Sequence, residues 1–220
     1  MPPGVLDSCL IIALMLASVP DSVFDNPSPW KASAADGELK FEERPIKDSP
    51  FSEYRLTTTT DVSVEALCKE VFDLTTKDKA SSSGIKVKLL VRDGDDERVV
   101  YTQIEKPLVS LRDYALTVRK ETLEGGACRI RFKTTNEEAP KKPDEAVRIE
   151  TMWGGWLFES QPGGKTKLTY LIFADPAGSV PAFIVHGGQK KAAKESVLLA
   201  IEKAKTIDAA LGSTAPQRAP

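Results

Sequence analysis

The sequence contains six short segments in which apolar and polar residues alternate, and one long amphipathic helix follows them directly. This order of elements restricts the chain to few folds. Gly- and Asp-rich turns, such as DGDD, EGG and PGG, join most of the segments. This spacing is typical of an antiparallel meander, in which each strand pairs with its neighbour through a short turn. The six predicted strands cover residues 85–92, 97–105, 112–122, 127–136, 146–158 and 165–174.

Two further strands and a helix precede the meander. Residues 38–46 and 53–60 alternate between apolar and polar side chains or carry β-branched side chains, and both patterns predict strands. Residues 63–74 change to a helical period, with Ser63 as the expected N-cap. The helix should present one apolar face formed by Val64, Leu67, Val71 and Leu74.

The last element is predicted as a helix from about residue 180 to residue 211. Lysines and glutamates occupy its outer faces. Its inner face would hold Ala193, Val197, Ala200, Ile201, Ala204 and Ile207. A large antiparallel sheet needs a partner to cover its apolar face, and this helix can supply it. The predicted class is therefore α+β, with a strongly curved antiparallel sheet against one long C-terminal helix.

The chain length of 220 residues is consistent with one domain and two tails. We expect residues 1–22 to be a signal peptide or a disordered segment, residues 23–211 to fold, and residues 212–220 to form a disordered tail. The apolar run at residues 9–20 has the length of a signal-peptide core and is too short to span a bilayer. No Lys or Arg precedes it, which argues against export. We expect a soluble protein, and both an exported and a cytoplasmic location stay open.

Charge and composition exclude several functions. A net charge of −2 argues against nucleic-acid binding, which needs a basic surface. Cys9, Cys68 and Cys128 show neither metal-ligand spacing nor an even disulfide framework, so we interpret Cys68 and Cys128 as small buried hydrophobic residues. With His186 as the one histidine, neither a zinc site nor a Cys/His nucleophile pair has support. No metal and no cofactor are expected.

Several motifs in fixed order resemble the START domain, the StAR-related lipid-transfer family. They are an Arg-Asp-aromatic triplet at Arg112–Tyr114, a VR strand at residues 147–148, GGW at 154–156, a G-x-T-x-L-T-Y strand at 164–170, and Asp-Pro-x-Gly-x-x-Pro at 175–181. The opening stretch from Trp30 also resembles the family's first strand. The resemblance covers about residues 25–210.

The resemblance implies a helix-grip fold, in which a curved sheet wraps around the last helix and leaves an apolar tunnel for one lipid. Gly178 and Pro181 would form the hinge of a lid helix. Phe183, Ile184 and Val185 would then lie at the tunnel mouth, facing the loop that carries Leu108, Val109 and Leu111.

Strand parity and the family match together predict the residues that contact the ligand. They are Tyr101, Gln103, Leu108, Leu111, Arg112, Tyr114, Leu116, Val118, Arg148, Glu150, Trp153, Tyr170, Phe183, Val197 and Ile201.

A buried arginine needs a partner, so Arg112 and Arg148 are each either half of a structural ion pair or a contact for the ligand head group. We expect the structural pair for Arg112. Some sterol-transferring relatives carry an arginine and an acidic residue inside the cavity, where this chain has Val118 and Val99 or Val100. The tunnel should therefore be more apolar than in those relatives.

Three functions follow from the resemblance. The first is a non-enzymatic carrier of a single sterol-like or acyl lipid, acting as a monomer that contacts membranes transiently. The second is an enzyme of the wider superfamily, a cyclase or hydrolase, which needs an acid, a base or a nucleophile in the tunnel; Asp113 and Glu150 are the available carboxylates. The third is a lipid-sensing module that does not transport.

Overall fold

A computed structural model describes residues 29–76, 84–106, 109–180 and 182–213, apart from the side chains of residues 34–36, 106, 182–184 and 212–213. The predicted N-terminal segment, residues 1–22, lies outside the described residues, and so do residues 214–220 of the predicted tail.

The described residues form ten strands and two α-helices. The strands are β1 (Lys31–Asp36), β2 (Leu39–Pro45), β3 (Ser52–Thr60), β4 (Ile85–Arg92), β5 (Glu97–Lys106), β6 (Val109–Thr122), β7 (Cys128–Thr134), β8 (Val147–Arg148), β9 (Met152–Gln161) and β10 (Lys165–Ala174). The helices are α1 (Val64–Thr76), which lies between β3 and β4, and α2 (Ala182–Ser213), which follows β10.

All the strands belong to one sheet with the order β1-β2-β3-β10-β9-β7-β6-β5-β4. Neighbours along this path pair antiparallel, and the two-residue strand β8 pairs parallel with β6. The predicted α+β fold, a curved antiparallel sheet around a long C-terminal helix, is confirmed. No helix in the described part of the chain is both long and apolar enough to span a bilayer.

Both helices close one face of the sheet. The Ser63 hydroxyl accepts a hydrogen bond from the Ala66 amide at 3.3 Å, so Ser63 caps α1 as predicted. Asp208 of α2 accepts a hydrogen bond from the Ser63 amide, which joins the end of α2 to the start of α1. The main core lies between these helices and the sheet, and it includes Leu67, Val71, Val197, Ala200 and Ala204.

One predicted strand is two strands in the structure. Residues 146–158 were expected to run continuously, but β8 ends at Arg148 and β9 begins at Met152. The intervening backbone bonds to other segments: the Ile149 oxygen accepts from the Asn136 side chain, and the Thr151 oxygen accepts from the Asp175 amide. In a continuous strand, Ile149 and Met152 would point to opposite faces of the sheet. Because the strand is interrupted between them, the predicted alternation of faces does not hold across residues 147–153, and both side chains are buried.

The structure also corrects the interpretation of the cysteines. Cys68 of α1 and Cys128 of β7 form a disulfide, with Cα atoms 6.1 Å apart. Cys128 is buried in the main core, as expected, and Cys68 is partly buried against that core. Their pairing depends on α1 lying over β7, which brings together two cysteines that are 60 positions apart in sequence.

Candidate functional site

A cavity of about 710 Å³ lies between α2, the C-terminal half of α1 and the inner face of the sheet. Small-molecule sites in proteins usually have about 300–1,000 Å³, so one ligand of moderate size fits this space. The apolar part of its wall includes Val100, Ile104, Leu116, Phe132, Ile149, Met152, Trp156 and Ile172.

Helix α2 forms one side of the cavity with small side chains. Ala192, Ala193, Ser196 and Ala200 recur at intervals of three and four residues, which puts them on one face of the helix. Near the start of the helix the wall continues through Val180, Val185 and Gly188, and across the gap stand Val109 and Ser110 of β6. The space beneath α2 is left open because its side chains there are too short to reach the sheet.

Three tyrosines, Tyr54, Tyr114 and Tyr170, supply hydroxyl groups to the largely apolar wall. Burial raises the pKa of Tyr54 and of Tyr114 to about 12, and burial also raises the pKa of Tyr170. The Tyr114 hydroxyl shares a hydrogen bond with Thr102. The Tyr54 hydroxyl and the Gln189 side-chain oxygen are buried and have no hydrogen-bond partner among the described residues. These two atoms can therefore bond to polar groups of a ligand.

The tyrosine pKa values predict a loss of stability at alkaline pH. The unfolded tyrosines release their protons near pH 10, whereas Tyr54 and Tyr114 keep theirs to about pH 12. Above pH 10 the unfolded state thus binds fewer protons than the folded state, so the free energy of unfolding falls between pH 10 and 12.

Thermal denaturation from pH 8 to 11.5 measures this loss. Tyr54→Phe should show a shallower decline than the wild type. At pH 8 its stability should be unchanged or slightly higher, since the Tyr54 hydroxyl has no bond to lose. Parallel declines in both proteins would contradict the assignment.

Arg112 lies in the cavity wall and is only 5% exposed. Its guanidinium donates to the backbone oxygens of Ser110, Pro176 and Ala177 at 2.6, 3.3 and 3.2 Å. The predicted structural ion pair at Arg112 is wrong, because Asp113 points to the opposite face of the sheet. There Asp113 pairs with Arg148 at 2.5 Å.

Four of the predicted contact residues meet in the cavity wall: Arg112, Tyr114, Leu116 and Tyr170. The first three share the inner face of β6 because side chains alternate along a strand. Leu111 is an odd-numbered position of β6 and therefore points to the same face of the sheet as Asp113. It is buried there and does not contribute to the cavity wall.

Three other predicted residues form a polar network on the outer face of the sheet. The Tyr101 hydroxyl donates to Asp113 at 3.0 Å, Gln103 donates to the Tyr101 hydroxyl at 3.0 Å, and Arg148 donates to the same carboxylate. On β5 it is instead Val100, Thr102 and Ile104 that face the cavity.

The remaining predicted residues lie elsewhere. Val118 and Val197 are fully buried in the core beyond the cavity, and Ile201 packs against that core. Trp153 stacks on Phe173 with ring centres 4.2 Å apart, and Glu150 is exposed beside Asn136. Leu108 and the side chain of Phe183 lie outside the described residues.

Sequence reasoning missed several parts of the wall, including Tyr54, Lys88, Thr102 and Phe132. Lys88 is buried on β4 and donates to the Leu74 oxygen, at the C-terminal end of α1, at 2.8 Å. A cation is favoured there by the partial negative charge of the helix end. A lysine within the alternating IKVKLLVR strand was the available signal for an inward-facing charge.

A sheet that grips a long C-terminal helix over an apolar cavity defines the helix-grip class of proteins. The model of the START domain matches residues 53–204, which is more than half of the chain. The chain belongs to the START family.

The chain is also similar to individual known proteins. A STAR-related lipid transfer protein from Xanthomonas axonopodis superposes with a TM-score of 0.71 at 19% identity, over 80% of this chain and 98% of that one. Human StAR-related lipid transfer protein 5 superposes with a TM-score of 0.66 at 18% identity, over 81% of this chain and 87% of that one. An uncharacterized protein of Pseudomonas aeruginosa is 23% identical over 158 residues, which is 71% of this chain and 77% of that protein.

Proposed function

We propose that this chain binds one lipid in the cavity under α2 and carries it between membranes without catalysing a reaction. The observation that carries the proposal is the 710 Å³ space with its largely apolar wall. The Xanthomonas and human proteins named above are lipid transfer proteins, and the proposal extends that activity to this chain.

The physical basis is the cost of exposing a lipid to water. Each CH₂ group that leaves an apolar environment costs about 0.8 kcal/mol, so a long acyl chain or a sterol rarely leaves a bilayer unaided. A protein that offers a dry cavity near the membrane surface removes most of this cost. Leu116 and Tyr170 would contact the apolar body of the lipid, and Arg112 and Tyr114 would contact its polar groups.

A role without catalysis is supported by the position of the carboxylates. An enzyme acting on a bound substrate needs an acid or a base within reach of it. Asp113 is completely buried and bonded to Arg148 and Tyr101 on the far side of the sheet, and Glu150 bonds to Asn136 at the surface. The carboxylate in the described wall, Glu195, is exposed and lies 3.9 Å from the Lys191 ammonium.

The disulfide supports a location outside the cytoplasm as part of the same proposal. Structural disulfides form and persist in oxidising compartments and are rare in the cytosol. The Cys68–Cys128 bond therefore favours export to the periplasm or the medium. The apolar run at residues 9–20 gives the same indication, because its length suits a signal-peptide core.

Filling the cavity should abolish ligand uptake while the fold remains. In Ser196→Trp a large side chain would project from α2 into the space that Ser196 lines. Leu198 lies two positions further along the same helix and is 50% exposed, so Leu198→Trp is the matched control. We expect uptake of a fluorescent fatty acid and a fluorescent sterol to be lost in Ser196→Trp and retained in Leu198→Trp.

Transfer of the same fluorescent lipids between donor and acceptor vesicles separates a carrier from a sensing module. A carrier accelerates exchange at catalytic amounts, whereas a module binds lipid without accelerating exchange. The absence of any uptake by the wild type would overturn the proposal, and so would equal uptake by both tryptophan variants.

A further inference from the structure

Arg112 differs from every other buried arginine that the structure describes. Arg44 pairs with Glu53, Arg98 pairs with Asp73 and Asp93, and Arg131 pairs with Glu121. Within the described part of the chain, Arg112 bonds to three backbone oxygens and to no carboxylate. A positive charge held in the wall of a cavity without a counterion is costly.

The hydrogen bonds of Arg112 leave part of its capacity unused. A guanidinium has five N–H donors, and the three backbone oxygens accept from Nε, Nη1 and Nη2 once each. One N–H on each terminal nitrogen remains for another acceptor, and the two terminal nitrogens suit the two oxygens of a carboxylate or phosphate. Burial lowers the pKa of Arg112, which is the signature of a cation without a compensating anion.

The rest of the described wall adds positive charge and offers no buried anion. Lys88 is a second buried cation. Glu195 is more than half exposed and already has Lys191 beside it. An anionic group bound beside Arg112 would therefore meet a positive charge, and the low dielectric of a buried wall strengthens that attraction.

We infer that the natural ligand is an amphiphile with one anionic head group, a carboxylate or a phosphate monoester, whose head binds the Arg112 guanidinium while its apolar body fills the cavity. The inference rests on the proposed function and narrows it to one class of lipid.

The position of Arg112 also sets the orientation of the ligand. Two of its bonds go to Pro176 and Ala177, in the turn that leads into α2, and Val180 and Val185 stand in the nearby wall. The head group thus lies at the end of the cavity beside this turn. The apolar body extends towards Phe132 and Trp156.

Three probes with the same chain test the head group directly: dodecanoate, dodecyl phosphate and dodecan-1-ol, titrated into the full-length protein by calorimetry at pH 7.5. We expect at least one of the two anions to bind about tenfold or more tightly than the alcohol. Arg112→Gln should remove this preference by weakening the anion and leaving the alcohol unchanged, and Arg112→Lys should retain part of it. Lys205→Gln, which changes an exposed lysine of α2 outside the cavity wall, is the control and should keep the full preference.

The outcomes separate this inference from the proposed function. Equal binding of all three probes, or tighter binding of the alcohol, overturns the inference and leaves lipid binding in place; Arg112 then only fastens the turn before α2. No binding of any probe to the wild type overturns both. The comparison of probes on the wild type decides the question even if Arg112→Gln does not fold, and the tighter of the two anions shows whether a carboxylate or a phosphate is recognised.

Discussion

Breaking the Cys68–Cys128 disulfide is expected to lower the free energy of unfolding by about 4 kcal/mol. The bond closes a loop across a sequence separation of 60 residues, and a loop of this length restricts the unfolded chain strongly. For a domain of this size the loss corresponds to a decrease in Tm of about 10 °C. Thermal and urea denaturation with and without a reductant, at neutral pH, measure the effect.

The double variant Cys68→Ala, Cys128→Ala is the control for the reductant. Its Tm should lie near that of the reduced wild type and should not respond to the reductant. Thiol titration of the denatured wild-type protein should detect two fewer reactive thiols before reduction than after it. A wild-type Tm that is insensitive to reduction, together with an unchanged thiol count, would contradict both the bond and the location outside the cytoplasm.

Local periodicity was sufficient to predict most of the fold. Helix α2 and strands β4 to β7 and β10 show apolar residues at helical or alternating spacing, because each has one face on the core. Periodicity did not predict strand β1, since its sequence KASAAD has no apolar alternation and little strand preference; only the resemblance to the family's first strand pointed to it. It is a strand because it pairs along β2, with Ala34 opposite Phe41 and Ala35 opposite Lys40.

The candidate site was harder to predict, because a shift of one residue in the register of a strand moves all of its side chains to the other face of the sheet. On β6 the pattern was clear, and Arg112, Tyr114 and Leu116 were correctly placed on one face. On β5 the adjacent valines Val99 and Val100 fit either parity, and the structure buries both, on opposite faces of the sheet.

Long-range contacts decided the remaining differences. The interruption between β8 and β9 depends on bonds from Asn136 and Asp175, which no pattern within residues 146–158 reveals. The lack of an ion pair at Arg112 could not be predicted for the same reason. Its neighbour Asp113 pairs with Arg148, and this pairing follows only from the position of β8 beside β6.

The second large effect is expected at Asp113, where Asp113→Ala should lower the free energy of unfolding by about 3–5 kcal/mol. The Asp113 carboxylate is 0% exposed, accepts two hydrogen bonds from Arg148 and one from Tyr101, and raises the pKa of Arg148. Its removal leaves a partly buried guanidinium whose other contact is the Pro140 oxygen. Urea denaturation of the variant and the wild type measures the difference.

Two further variants show that the lost ion pair causes this effect. Glu150→Gln changes a nearby exposed carboxylate and should alter stability by no more than about 0.5 kcal/mol. Adding Arg148→Met to Asp113→Ala removes the unpaired charge, so the double variant should be more stable than Asp113→Ala alone.

The same ion pair also has a consequence for the cavity. It fixes β8 beside β6, and the following residue, Ile149, enters the cavity wall. Asp113→Ala should therefore also weaken ligand binding, although Asp113 lies on the opposite face of the sheet. If Asp113→Ala were as stable as the wild type, the pair would not be what holds this part of the wall in place.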